Sequence, residues 1–194
     1  MRTGIGAVAV VAGLALATGA ARGQGTVSGH EYGVDIGMEF QNVSSLAGTG
    51  STTLFRAMTP VDVRIGFPSV TPLSLETRFT FDFNSRGFGS NASYYLGPDL
   101  NVLYQLGERG RARGPMGPYL TGGVGLAIAN VPSGGGGTSS GLVPSLNGGI
   151  GTRIRAGSGA WRLEGFLAYS FKNAHLGSPG TLSIGARIGL SLWH

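Results

Sequence analysis

His30, His175 and His194 are the chain's whole supply of imidazole, and it has no cysteine. Acyl transfer or hydrolysis needs a nucleophile, a base and an orienting acid within hydrogen-bond reach. Only His175 lies in a candidate outer loop, in KNAHLGSPG, with Ser178 three residues on. His30 precedes the first patterned segment, and His194 is the last residue. His175 reads as a loop histidine near solvent. Asp35 and Glu39 are four apart on one strand face, which separates them by about 13 Å at ~3.3 Å per residue. One ion needs closer ligands, so salt pairing is their expected use. The run SGGGGTSSG (133–141) lacks the lysine and the following helix of a phosphate loop and reads as an outer loop. No catalytic residue, no cofactor-binding residue and no metal ligand is assigned, and the chain is not expected to be an enzyme.

The remaining charges have a clearer order. Asp35, Glu39, Asp62, Glu76, Asp82, Asp99 and Glu164 fall on the polar face of alternating segments. So do Arg64, Arg78, Arg153, Arg155, Arg162 and Arg187. Seven acids against six bases is a nearly neutral set. Arginine suits bidentate pairing with carboxylates better than lysine does, and Lys172 is the single lysine. The expected network is Arg64, Arg78, Glu76, Asp82, Arg162, Glu164 and Arg187.

The elements that carry these residues are strands. Tyr32, Val34, Ile36, Met38 and Phe40 alternate with Gly33, Asp35, Gly37 and Glu39. Val61 to Phe67 and Leu73 to Phe83 repeat the period of two, which gives a strand one apolar and one polar face. Further segments centre on Leu96–Leu106, Leu120–Ile128, Leu146–Ile154, Trp161–Phe171 and Leu182–Leu192. That makes eight segments of roughly 10–14 residues, long enough for tilted membrane-crossing strands. The connectors at about 42–53, 84–92, 130–141 and 172–179 share one end. Those at about 68–72, 107–117 and 156–159 share the other. Longer loops at one end and shorter turns at the other is the asymmetry of outer-membrane barrels. The turn GERGRARGPMG is longer than that rule predicts. Loops one and three show no long protruding strands.

Composition excludes other classes. Thirty-seven glycines in 194 residues disfavour a helical bundle, since each interior glycine costs a helix about 1 kcal/mol. They follow no triplet repeat, so the chain is not collagen. The formal net charge is +5, but no basic helix or aromatic-basic stripe exists, and no nucleic-acid partner is expected. Residues 1–23 have the order of a cleaved secretory signal: Arg2, an uncharged run from Ile5 to Ala17, then small residues. Its run of about 13 residues is short of the ~20 a spanning helix needs. Removing Arg2 and Arg22 lowers the net charge to +3.

Alternation alone fits two opposite objects. A soluble lipocalin-like carrier points its charges to water. A membrane barrel points them into its lumen. The polar faces here are poor in charge and rich in glycine and serine, which suits a cramped lumen. Tyr32, Phe40, Phe67, Phe83, Tyr104, Trp161 and Phe171 fall at strand ends on the apolar faces, as in interfacial girdles.

The sequence resembles the family of small eight-stranded bacterial outer-membrane barrels related to OmpA and OmpX. The resemblance covers residues 24–194. It rests on the strand count, on GPYLTGGVGLAI with PSLNGGIGTRIR, and on the last strand, RIGLSLWH. Barrels of this family end in a signal read by the barrel-assembly machinery. Arg187, Gly189, Leu192 and His194 stand at its positions, the last of which is usually phenylalanine. The family's peptidoglycan-binding domain is not found in the sequence. The spacing of His175 and Ser178 departs from the His-x-Ser pair of lipid A deacylases.

These readings predict an all-β chain, an eight-stranded antiparallel up-and-down transmembrane β-barrel behind a signal peptide. Its place is the bacterial cell outer membrane. Its partners are outer-membrane lipid, lipopolysaccharide and the assembly machinery, and it is a monomer. Its expected role is structural, in envelope integrity, or in surface interaction, with a charged network plugging the lumen. A narrow, low-conductance pore and a lipocalin-like carrier are the alternatives.

Overall fold

The computed structural model describes residues 29–44, 50–69, 71–84, 93–106, 109–110, 114–132, 138–176 and 178–194. The expected signal peptide lies outside them. The strands are β1 (Glu31–Ser44), β2 (Ser51–Phe67), β3 (Leu73–Asn84), β4 (Ser93–Gln105), β5 (Arg109–Gly110), β6 (Gly114–Pro115), β7 (Gly117–Pro132), β8 (Thr138–Ala156), β9 (Gly159–Ser170) and β10 (Thr181–Trp193). A 3-10 turn, Ala174–Leu176, lies between β9 and β10.

Eight of these strands close into one antiparallel barrel in the order β1-β10-β9-β8-β7-β4-β3-β2. The seam pairs β1 with β10 from Glu31 opposite Trp193 to Val43 opposite Thr181. Beyond it, the His30 amide donates to the His194 carbonyl at 2.7 Å, and the His194 amide donates back at 3.1 Å. Closure removes the exposed strand edges that an open sheet would present.

The alternation holds around the wall. Val34, Ile150 and Ile184 point outward and are 55%, 59% and 60% exposed, whereas Arg64 and Glu76 point inward and are 0% and 1% exposed. The molecule is thus apolar outside and charged inside. A lipocalin-like carrier requires the reverse.

Three details differ from the expectation. Residues 42–53 and 130–141 read as connectors, yet β1, β2, β7 and β8 run well into them. Serine, threonine and glycine obscure the apolar rhythm there, while the backbone pairs Val43 with Thr52 and Val131 with Ser139. Loops one and three therefore do sit on extended hairpins. The long turn after β4 carries its own two-residue ladder, β5 with β6. Lastly, β2 bulges. Ile36 faces Val61 and Met38 faces Ala57, so four steps on β2 match two on β1. The two extra residues preserve parity, and Arg56 stays on the inward face with Asp62 and Arg64.

Short connections close the opposite end. Between β8 and β9 the turn is two residues, Gly157 and Ser158. Gly157 has φ of 60°, the positive value that such hairpin turns require and glycine meets without strain.

Candidate functional site

The inward residues form one network to which all eight barrel strands contribute. Glu76 on β3 and Glu164 on β9 are its hubs. Glu76 meets Arg78 at 3.0 Å, Arg64 at 3.4 Å, and Arg162 in a close ion pair. Glu164 meets Arg162 at 2.5 Å, Arg187 at 3.0 Å and Arg78 at 3.1 Å. Arg64 forks onto Asp35, with its Nε and one terminal nitrogen each bonded to a separate oxygen, at 2.5 and 2.9 Å. Such bidentate pairs fix direction as well as charge.

A second layer lies toward the start of β1 and the end of β10. Arg153 forks onto Glu31 at 3.1 and 2.8 Å and also donates to Gln105 Oε1 at 3.1 Å. Ser191 Oγ donates to Glu31 Oε1 at 2.6 Å. Tyr119 stands between the layers. Its ring lies 4.7 Å from the Arg153 guanidinium and 4.8 Å from that of Arg162. Its hydroxyl donates to Glu164 at 2.9 Å and accepts from Arg162 Nε at 2.5 Å. Toward the loop end, Arg187 lies 3.8 Å over the Phe166 ring and pairs with Asp62 at 2.9 Å. Arg56 there forms a close pair with Asp82 and reaches Glu39 at 3.4 Å.

Glycine makes room for the long arms. A methyl group on Gly33 would run into the Arg64 guanidinium, and one on Gly189 would strike the Asp35 carboxylate and the Val34 carbonyl. Both glycines face inward, directly across the ladder from the residue they accommodate.

The seven predicted network residues all face the lumen. Arg64, Arg78, Glu76, Arg162, Glu164 and Arg187 join in one cluster, while Asp82 joins Arg56 and Glu39 above it. Arg155 departs from the expected set: it is exposed at the end of β8, past the last inward partner. Glu31, Arg56, Tyr119, Gln105 and Ser191 are network members that sequence reasoning did not assign. Glu31 continues the 31-33-35-37-39 face, a signal that was available. Arg56 was hidden because Met58, Thr59 and Pro60 interrupt the rhythm.

The arrangement fills space and cancels charge. Its carboxylates, Asp99 apart, are engaged by guanidinium groups, which have no proton to give at ordinary pH. Among the described residues, no group of three or more histidines and carboxylates is placed to hold a metal ion. The His30 ring packs edge-on against Tyr32 and Phe67, at 6.3 and 5.3 Å between centroids. Ser178 is buried, with its hydroxyl 2.9 Å from that of Tyr95. His175 lies in the 3-10 turn.

No protein-family model matches the chain, and no curated protein matches it in sequence. Its fold does match solved structures. The attachment invasion locus protein Ail of Yersinia pestis is 15% identical, with a TM-score of 0.51, over 84% of this chain and 99% of that one. Ail in complex with the heparin analogue sucrose octasulfate gives a TM-score of 0.52 at 13% identity, over the same 84% and 99%. Neisserial surface protein A is 16% identical, with a TM-score of 0.51, over 81% of this chain and 95% of that one. The likeness is one of fold: a small, closed, eight-stranded barrel.

Proposed function

We propose that the chain is an integral protein of a bacterial outer membrane, a monomeric barrel that serves envelope integrity and presents its long loops to the exterior. One observation carries this reading: a closed wall with ion pairs inside and large apolar side chains exposed all round its outer face. In water such a belt would be a contiguous apolar patch far larger than soluble monomers carry. In lipid it is the expected surface, and closure satisfies every strand's backbone within the wall. Outer-membrane lipid and lipopolysaccharide are then its surroundings.

The ends support the same orientation. The two-residue β8–β9 turn, the start of β1 and the end of β10 lie together, at the end where short periplasmic turns belong. The extended β1–β2 and β7–β8 hairpins lie at the other end, with the eight-residue β3–β4 and ten-residue β9–β10 connections. The last strand keeps Arg187 and Gly189 inside and Leu192 and His194 outside, the alternation that recognition by the barrel-assembly machinery calls for. The network fits a plug, and the reading assigns no catalytic role.

Gel migration from detergent tests this. The mature chain should run differently unboiled and boiled, because a closed barrel stays folded in detergent until heated. A chain that dissolves in plain buffer and shows no shift overturns the proposal.

A further inference from the structure

Asp99, on β4, is set apart from the other lumenal acids. Among the described residues it is the one lumenal carboxylate with no arginine at ion-pair distance; Glu31, Asp35, Glu39, Asp62, Glu76, Asp82 and Glu164 each have one. Its polar contact is the Thr80 hydroxyl at 3.4 Å. An ionised carboxylate in a narrow, protein-walled space is costly without a counter-charge.

What surrounds it is a wall of oxygen atoms on bare backbone. Asp99 Oδ1 and Ser145 Oγ lean over Gly125 from opposite sides, so closely that a methyl group there would touch both. Two residues along the same inward face, Asn101 Oδ1 lies over Gly123 in the same way. Asn101 is fully buried, and among the described residues neither its amide oxygen nor its amide nitrogen has a hydrogen-bond partner. A buried amide with both ends unmet costs free energy that a bound group would recover. Asp99 and Ser145, together with Arg187, also line a cavity of about 100 Å³ in the loop-side half of the barrel.

We infer that the outer half of the lumen holds one alkali-metal cation, bound by Asp99 and Ser145 with the Asn101 amide oxygen. Carboxylate, hydroxyl and amide oxygens are ligands for hard cations. A single carboxylate with no arginine at ion-pair distance calls for a single positive charge, and among the described residues no group of three or more acids and histidines stands ready for a divalent ion. A cavity of this size excludes bulky organic cations. The site depends on the barrel's interior and not on its membrane setting.

The test is the thermal unfolding midpoint of the purified barrel in detergent, in sodium or potassium chloride against N-methylglucamine chloride at equal ionic strength. A saturable rise of about 5–10 °C is expected at a hundredfold excess of the alkali cation over its dissociation constant. Asp99→Asn should abolish the difference between salts while keeping the gel shift of a folded barrel, and Ser145→Ala should weaken it. Crystals grown with rubidium chloride should show an anomalous peak between Asp99 and Ser145. Equal midpoints in all three salts, full cation dependence in the Asp99→Asn variant, or no rubidium peak would each overturn the site.

Discussion

Glu76 touches three guanidinium groups and has no solvent to fall back on. Removing it strands Arg64, Arg78 and Arg162 around one hole, which is the costly way to break a buried ion cluster. Glu76→Ala should therefore lower barrel stability by about 3–5 kcal/mol, read as the urea midpoint of the chain refolded into lipid vesicles. An unchanged midpoint would mean that the pairing contributes nothing. The sequence shows that these residues share an inner face and that their charges nearly cancel. It does not show who pairs with whom, and the register explains why. Asp35 stands opposite Asp62, Arg64 opposite Arg78, and Arg153 opposite Arg162. At these three positions like charges are neighbours on the wall, which would be unfavourable if nothing else were near, whereas Arg78 faces Asp99 and Arg187 faces Glu164. Many of the compensating partners lie across the lumen, as Glu76 does for Arg162 and Glu164 for Arg78. A period of two reports the face of a side chain and is silent about what it meets on the far side.

Strand identity follows from patterning wherever apolar residues mark the outer face, as in β3, β9 and β10. It fades where the outer face turns polar. The outer parts of β1 and β2 have Asn42, Ser51 and Thr53 in outward positions, and their pairing is visible only in the backbone. The bulge at Met58–Pro60 hides Arg56 for the same reason: local rhythm is lost although parity survives. At the seam, element and residue meet. Gly189 on β10 is required by the Asp35 carboxylate and the Val34 carbonyl across the ladder, and that contact lies within the pairing that closes the barrel. Gly189→Val should impair closure more than it impairs strand formation. The expected result is a smaller heat-modifiable fraction on refolding, with far-ultraviolet circular dichroism still showing sheet. A wild-type folded fraction would mean that the seam has room to shift.

At the scale of the whole molecule, the question is whether the lumen conducts. Eight strands enclose little more than their own side chains, and here those side chains are among the longest available. Arg64, Arg78, Arg162, Glu76 and Glu164 are each at most 3% exposed, so they seal the middle of the barrel from both ends. Small residues, among them Gly97, Ala127 and Ser145, leave room above this layer, where the 100 Å³ cavity lies, but Leu103 and Tyr119, also buried, stand below it. The cavity is therefore stopped on its inner side by the network. In planar bilayers the wild-type chain should show no steady conductance above the bare-membrane level. Replacing both Glu76 and Arg162 by alanine removes an acid and a base together. The lumen's net charge is unchanged and the stop is thinned, so steps of conductance should appear if the network is what closes the path. Steady conductance in the wild type would instead mean that ions pass between the paired side chains, and would turn the plug into a filter.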